Sequence, residues 1–209
     1  MPKDKAVDPR VKRSRRYLQE ALVSLIEEKG FDSITVLDLT KRADLNRATF
    51  YLHFRDKYDL LEQSMDEMLE QLIHTLAPTG NPEATSFGYN KPFSSIVRLF
   101  EHIAEHATFY KVMLGQKGNL GFTSRMLKVL REAFYQRFSL IQSDEEQLLV
   151  PKEIVTRYQS AALLGLIMYW LENNMPYSPH YMATQLTRLS LLGPHHASGL
   201  SLLYPPDPE

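Results

Sequence analysis

The chain has 209 residues, 44% of them hydrophobic and 23% charged, with a formal net charge of −1. That balance fits an ordinary folded globular protein with a sizeable core and argues against disorder. It contains no cysteine, which removes disulfides, thiolate metal sites and a cysteine nucleophile together and is compatible with a reducing cytoplasm, the expected location.

The near-neutral total conceals an asymmetry. Residues 1–60 carry 13 Lys/Arg against 10 Asp/Glu, residues 61–209 carry 11 against 15, and the first 16 residues alone hold 7 basic against 2 acidic. A basic head on an acidic body points to a polyanion held at one end. The longest apolar run, residues 161–171, has eleven residues, well short of the roughly 20 needed to cross a bilayer. The charged N-terminus has no signal-peptide pattern, so neither export nor membrane insertion is expected.

In chain order nearly everything reads as helix. Leu18, Ala21, Leu22, Leu25 and Ile26 form one apolar face of a first helix that ends at Gly30. A short helix over 36–43 follows, then a break at 44–46, then another short helix over 47–54. Leu61, Met65, Met68, Leu72 and Leu76 stripe a longer helix closed by Pro78 and Gly80. Residues 77–92, rich in Pro, Gly and Asn, read as a loop joining two halves. Helical patterns then recur near 92–107, 108–114, 120–142, 151–173 and 178–192. The predicted fold class is all-α, with an N-terminal helical domain over 1–56 (1–9 a flexible basic tail), a second helical domain over 57–192, and a disordered tail over 193–209.

Two short helices three residues apart have the dimensions of a helix-turn-helix. Thr35 precedes the first with Asp38 three residues on, a capping-box variant; Asn46 is a preferred N-cap for the next, and Asp56 can cap the one after, with Asp59 in its first turn. The segment over 47–54 divides by face. Phe50 and Phe54 stand four apart and anchor it, which leaves Arg47, Thr49, Tyr51 and His53 to present polar heads outward. A recognition helix requires that division: an apolar seat, and donors long enough to reach phosphates and base edges.

Gly30, Phe31 and Asp32, Thr35 and Val36, Ala43, the unbroken run from Ala48 through Thr49, Phe50, Tyr51, Leu52, His53, Phe54, Arg55 and Asp56 to Lys57, then Leu60 and Leu61 resemble the signature of TetR/AcrR-type bacterial transcriptional regulators. The resemblance covers residues 15–61 and implies an all-helical homodimer, DNA-binding at its N-terminus, with a C-terminal domain for dimerisation and often ligand binding. By position it implies that Thr35, Asn46, Thr49, Tyr51, His53 and Lys57 grip phosphates, and that Arg47 and Ala48 sit where bases are read. Arginine paired with guanine is the strongest single readout among these, and Lys57 also opens the fourth helix, whose first amides attract phosphate. Two positions depart from the family pattern: Asp44 replaces a common turn glycine, and Ala48 another.

In the C-terminal half, Ala161 and Gly165 lie one turn apart beside Met168, and small residues on one face let helices approach closely. These three, with Met182, Leu186 and Leu189, are the expected two-fold dimer interface. Residues 170–179, Trp-Leu-Glu-Asn-Asn-Met-Pro-Tyr-Ser-Pro, are similar to a stretch found in a subset of these regulators that includes the dihydroxyacetone kinase activator type. That raises an alternative, a regulator answering to a protein partner in place of a small-molecule effector. Ser178 as a helix cap, with Pro179 after it, explains much of the same stretch structurally. Phe100, Phe109, Tyr110, Met113, Phe134, Tyr135, Phe138, Tyr158 and Tyr169 are either core or pocket lining, and no charged residue stands out as a ligand's partner.

One catalytic-looking string is present. His102, Glu105 and His106 match H-x-x-E-H, a zinc-hydrolase pattern. On a helical wheel both histidines fall away from the apolar set Phe100, Ile103, Ala104 and Ala107, so solvated surface histidines are expected and a zinc hydrolase is the remote alternative. No phosphate loop or nucleophile elbow appears. The expectation is therefore a non-enzyme without cofactor or metal: a regulator, as repressor, binding a palindromic double-stranded DNA operator as a homodimer under effector control.

Overall fold

A computed structural model of the protein describes residues 8–77, 92–115, 120–141 and 148–199. Among these residues there are nine α-helices and no strand. The first, α1 (Pro9–Lys29), starts with Pro9 in its opening turn behind Asp8, whose side chain accepts from the Arg10 amide, and stops at Gly30, where φ is 76°. It buries the five stripe residues read from the sequence. Next come α2 (Val36–Arg42), α3 (Arg47–His53), α4 (Lys57–Leu76), α5 (Ser94–Glu105), α6 (Ala107–Leu114), α7 (Leu120–Ile141), α8 (Lys152–Glu172) and α9 (Pro179–Ala197).

The helices expected from periodicity are all found, each within a few residues of its expected ends. Where disorder is expected from Gly193, the described residues instead kink there (φ 71°, ψ 162°) and make a further helical turn to Ala197. Of the expected basic tail, loop and C-terminal tail, residues 1–7, 78–91 and 200–209 lie outside the described residues.

The described residues form two compact units. One draws on Met1–Glu70 and Thr108–Thr123. Its centre is Leu18, Leu22, Ile26, Leu39, Phe50, Phe54 and Leu60, all at most 2% exposed, so α1 supplies the surface on which α2 and α3 are seated. Phe109, Tyr110 and Phe122 also belong to it and pack ring to ring. The other unit draws on Gln71–Ala107 and Ser124–Glu209. There α5 packs on α9, and the Phe100 ring meets Trp170 edge-on at 5.3 Å.

Trp170 also fixes the turn between α8 and α9. Its Nε1 donates to the Tyr177 carbonyl at 3.0 Å, while Asn174 and Met175 both take left-handed backbone (φ 56° and 53°). Ser178 then accepts from the Tyr181 amide at 3.2 Å, with Pro179 opening α9.

Candidate nucleic-acid interface

A seven-residue helix is too short to persist alone, so α2 and α3 depend on their caps and seats. At α2 the capping box is complete: the Asp38 amide donates to Thr35 Oγ1 (3.2 Å) and the Thr35 amide to Asp38 Oδ2 (2.9 Å). Lys29 reaches the same carboxylate at 2.9 Å. The Thr35 hydroxyl and amide, together with Lys29, hold the Asp38 carboxyl well below the usual range. The turn to α3 passes through Asp44 at φ 53°. This is the left-handed conformation that the family's glycine would take with ease and that aspartate tolerates better than most residues. Asn46 Oδ1 then accepts from the Ala48 amide at 2.9 Å and caps α3.

Phe50 is fully buried, and Phe54, the residue ending α3, is 2% exposed. Arg47, Ala48 and Tyr51 lie exposed and Thr49 is half-buried. The Arg47 guanidinium reaches the Tyr51 hydroxyl at 3.4 Å and sits 5.9 Å from its ring, so the two long side chains share one side of α3. Leu52 is 80% exposed, an apolar side chain whose placement the sequence reading did not single out.

Besides Asn46, three of the expected contact residues also have work inside the fold. His53 Nε2 lies 2.6 Å from Ser14 Oγ and ties α3 to α1; partial burial, then the nearby Arg15, holds its pKa below the usual value, favouring the neutral ring. Arg15 covers the Phe54 ring at 4.8 Å and pairs with Glu67 of α4. Lys57 Nζ donates to the carbonyls of Asp32 (2.9 Å) and Phe31 (3.1 Å) and lies 4.8 Å from the Phe31 ring, so it closes the loop after α1. Thr35 is engaged in its capping box. Asp56 Oδ1 accepts from the amides of Tyr58 and Asp59, which starts α4. The Asp59 carboxyl, accepting from the Arg55 amide, from Gln63 and from the Arg55 guanidinium, is lowered to about 2.

In the second unit, Ala161 and Gly165 are exposed and Met168 is half-buried on α8, while on α9 Met182 and Leu186 are buried and Leu189 is half-buried. Ala161 and Gly165 belong to an exposed stripe with Ile154, Tyr158 and Tyr169. Phe134 and Phe138 line a cavity of about 300 Å³. Of the other aromatic candidates Phe100, Phe109 and Tyr110 are core, and Tyr135, Tyr158 and Tyr169 are exposed. No charged side chain stands out in the sequence for such a pocket; Arg137 is one of its walls.

The histidine pair corrects an expectation. His102 is 8% exposed and buried with α5, not solvated. The wheel omitted Leu99, which is fully buried and extends the inward arc of α5 toward His102. Burial, then the neighbouring His106, lowers the His102 imidazole to about 4. The two rings lie 4.7 Å apart, with His106 already past the helix as its C-cap. Among the described residues no third His, Cys, Asp or Glu joins them in a metal-binding group.

An all-helical chain that seats a short, capped, polar-faced helix on an apolar base is built as a helix-turn-helix transcriptional regulator. Residues 18–64 match the family model described as bacterial regulatory proteins, tetR family, and residues 90–191 match that of a transcriptional regulator C-terminal region. Between them these cover well over half of the chain, which belongs to the tetR family. The uncharacterized HTH-type transcriptional regulator YxbF of Bacillus subtilis is 26% identical over 184 residues. That match takes in 88% of this chain and 46% of YxbF, so the chain spans less than half of that relative's length. Among solved structures, the dihydroxyacetone kinase operon activator DhaS is similar with a TM-score of 0.59 at 19% identity, over 85% of this chain and 94% of DhaS. FadR of Bacillus subtilis, solved with stearoyl-CoA, has a TM-score of 0.62 at 20% identity, over 86% of this chain and 99% of FadR. At those identities the likeness is one of fold. No described helix is long and apolar enough to cross a membrane.

Proposed function

We propose that two copies of this chain bind a palindromic double-stranded DNA operator in the cytoplasm and repress transcription by occluding the polymerase. The observation that carries this reading is α3, with Phe50 and Phe54 buried beneath it and Arg47, Ala48 and Tyr51 presented outward. Arg47 reads a base edge and Ala48 lets the helix approach it. Thr35, Asn46, Thr49, Tyr51, His53 and Lys57 hold the phosphates. Both domain assignments stay part of this reading: DNA is held within residues 1–56, and residues 57–192 pair the copies and receive the effector.

Support for the homodimer comes from α8. Ile154, Tyr158 and Tyr169 are 57%, 59% and 49% exposed, and Ala161 and Gly165 lie between them. They form an apolar stripe about 22 Å long at 1.5 Å per residue, of the kind that marks an association surface. A Cβ added at Gly165 would meet nothing within 4 Å, so the chain's own packing does not call for glycine there. A mid-helix glycine costs about 1 kcal/mol relative to alanine, and close approach of a second α8 accounts for it. Met168 and Leu189, both half-buried, and the buried Met182 and Leu186 complete the interface in this reading. Sedimentation at micromolar concentration is expected to give a dimer for the native chain and a folded monomer for Gly165→Arg; a native monomer contradicts the reading.

Effector control is supported by the cavity in the second unit and by the ligand named in the FadR structure. A protein partner is the second reading, favoured by Tyr177 and Tyr181. Their rings stack at 4.8 Å while both residues remain more than 40% exposed, beside the turn whose sequence is similar to that of the activator subset.

A further inference from the structure

The outward side of α3 carries a side chain that the contacts proposed above do not use. Leu52 is 80% exposed, and among the described residues no other large apolar side chain within a helix is exposed to that degree. Its place in the helix accounts for this. At about 3.6 residues per turn, residues two apart point to nearly opposite sides and residues four apart share one. Phe50 is fully buried, so Leu52 is carried away from the core. It shares its side of α3 with the exposed Ala48, one turn earlier. The two make a short apolar line down the outermost side of the helix, beside the longer Arg47 and Tyr51.

A leucine side chain neither donates nor accepts a hydrogen bond, so it holds no phosphate oxygen and pairs with no polar base edge. The major groove offers one apolar group, the C5-methyl of thymine, which projects from the base edge where a side chain can cover it. We propose that Leu52 reads thymine. With α3 in the major groove, its side chain covers the C5-methyl of one thymine in each half-site, at a base pair other than the one read by Arg47. Preference at that pair is then set by burial of apolar surface and not by hydrogen bonds. Thymine reading by Leu52 rests on α3 being the helix that enters the groove, as proposed above.

The test selects bound duplexes from a randomised pool with the full native chain and with Leu52→Ala. Each thymine of the enriched site is then replaced in turn by deoxyuridine, which pairs in the same way and lacks only the methyl. At one thymine per half-site the replacement is expected to weaken native binding by about fourfold, and by about fifteenfold when both half-sites are changed. Leu52→Ala alters an exposed position and is expected to melt like the native protein. It should bind the thymine and deoxyuridine duplexes alike, and enrich a site that keeps the Arg47 position and loses the thymine. A native protein indifferent to deoxyuridine at every thymine overturns the proposal. So does a methyl response that survives in Leu52→Ala, which would give the contact to a neighbour such as Ala48. A Leu52→Ala protein that binds every sequence more weakly with its base preferences intact also overturns it, since Leu52 would then lie against the sugars. No enrichment of any site by a folded native dimer strikes the DNA reading of α3 and the role of Leu52 with it. An enriched site without a methyl response strikes the role of Leu52 alone.

Discussion

At the scale of single residues, Arg47 and Lys57 carry charge of the same sign in different settings. Arg47 is exposed and lies against the exposed Tyr51, so its removal costs the fold little. Lys57 holds two backbone carbonyls of the loop after α1, using two of the three donors of an ammonium. Arg47→Ala is expected to relax base preference at one position per half-site with the melting temperature unchanged. Lys57→Ala is expected to weaken all DNA sequences alike, to reduce the slope of log affinity against log salt by about one per head, and to lower stability by about 1–2 kcal/mol, since it leaves carbonyls unsatisfied. Titrations over a set of single-base operator variants, with melting curves, check both. Equal loss of base preference from the two changes contradicts the assignment.

His102 gives a second prediction at this scale. Burial and the neighbouring His106, against the opposing pull of Glu105, lower it to about 4, whereas an imidazole in the unfolded chain titrates near 6.5. Between those values the unfolded chain takes up a proton that the folded chain refuses. Stability is therefore lost as pH falls through that window, by on the order of 3 kcal/mol in full. Urea midpoints at about pH 7 and about pH 5 are expected to differ by less in His102→Leu than in the native protein. An equal difference in both assigns the acid sensitivity elsewhere.

At the scale of elements, much of the DNA-facing half is legible in the sequence because short helices announce their ends. Thr35 with Asp38, Asn46, and Asp56 all make the capping bonds that their positions imply. Phe50 and Phe54 are four residues apart and both buried, as a helix seated on one face requires. What the sequence does not announce are contacts made across elements. The 2.6 Å approach of Ser14 to His53, the hold of Lys57 on Phe31 and Asp32, and the stacking of Arg137 on Phe93 each join residues at least 25 positions apart, where periodicity carries no signal. The burial of His102 is hard to read for a related reason: its face of α5 looks polar until the fully buried Leu99 is counted.

The cap of α3 separates folding from DNA affinity. Asn46→Ala removes the acceptor for the Ala48 amide and is expected to lower stability by about 1 kcal/mol. Asn46→Asp keeps a good cap but sets a negative charge where phosphate is expected. It should melt like the native protein and bind DNA more weakly. Native affinity in a stably folded Asn46→Asp protein would remove Asn46 from the phosphate-facing set.

At the scale of the whole molecule, the proposed dimer sets two recognition helices on one site. A dimer that sets them one turn of B-DNA apart, about 34–36 Å or a multiple of it, reads two half-sites in inverted order. Modest binding by each head becomes tight binding by the pair when both half-sites are engaged together. A ligand in the second unit then needs only to favour a spacing that the operator does not fit in order to release the DNA.

The most direct test is selection of bound duplexes from a randomised pool, using the native protein beside an Arg47→Ala, Tyr51→Ala double variant that melts like it. The native protein is expected to enrich an inverted repeat whose half-site centres lie one turn of B-DNA or a multiple apart, and the double variant to enrich none. No enrichment by a folded native dimer, or the same enrichment by both proteins, would contradict the assignment of α3 as the helix that reads DNA.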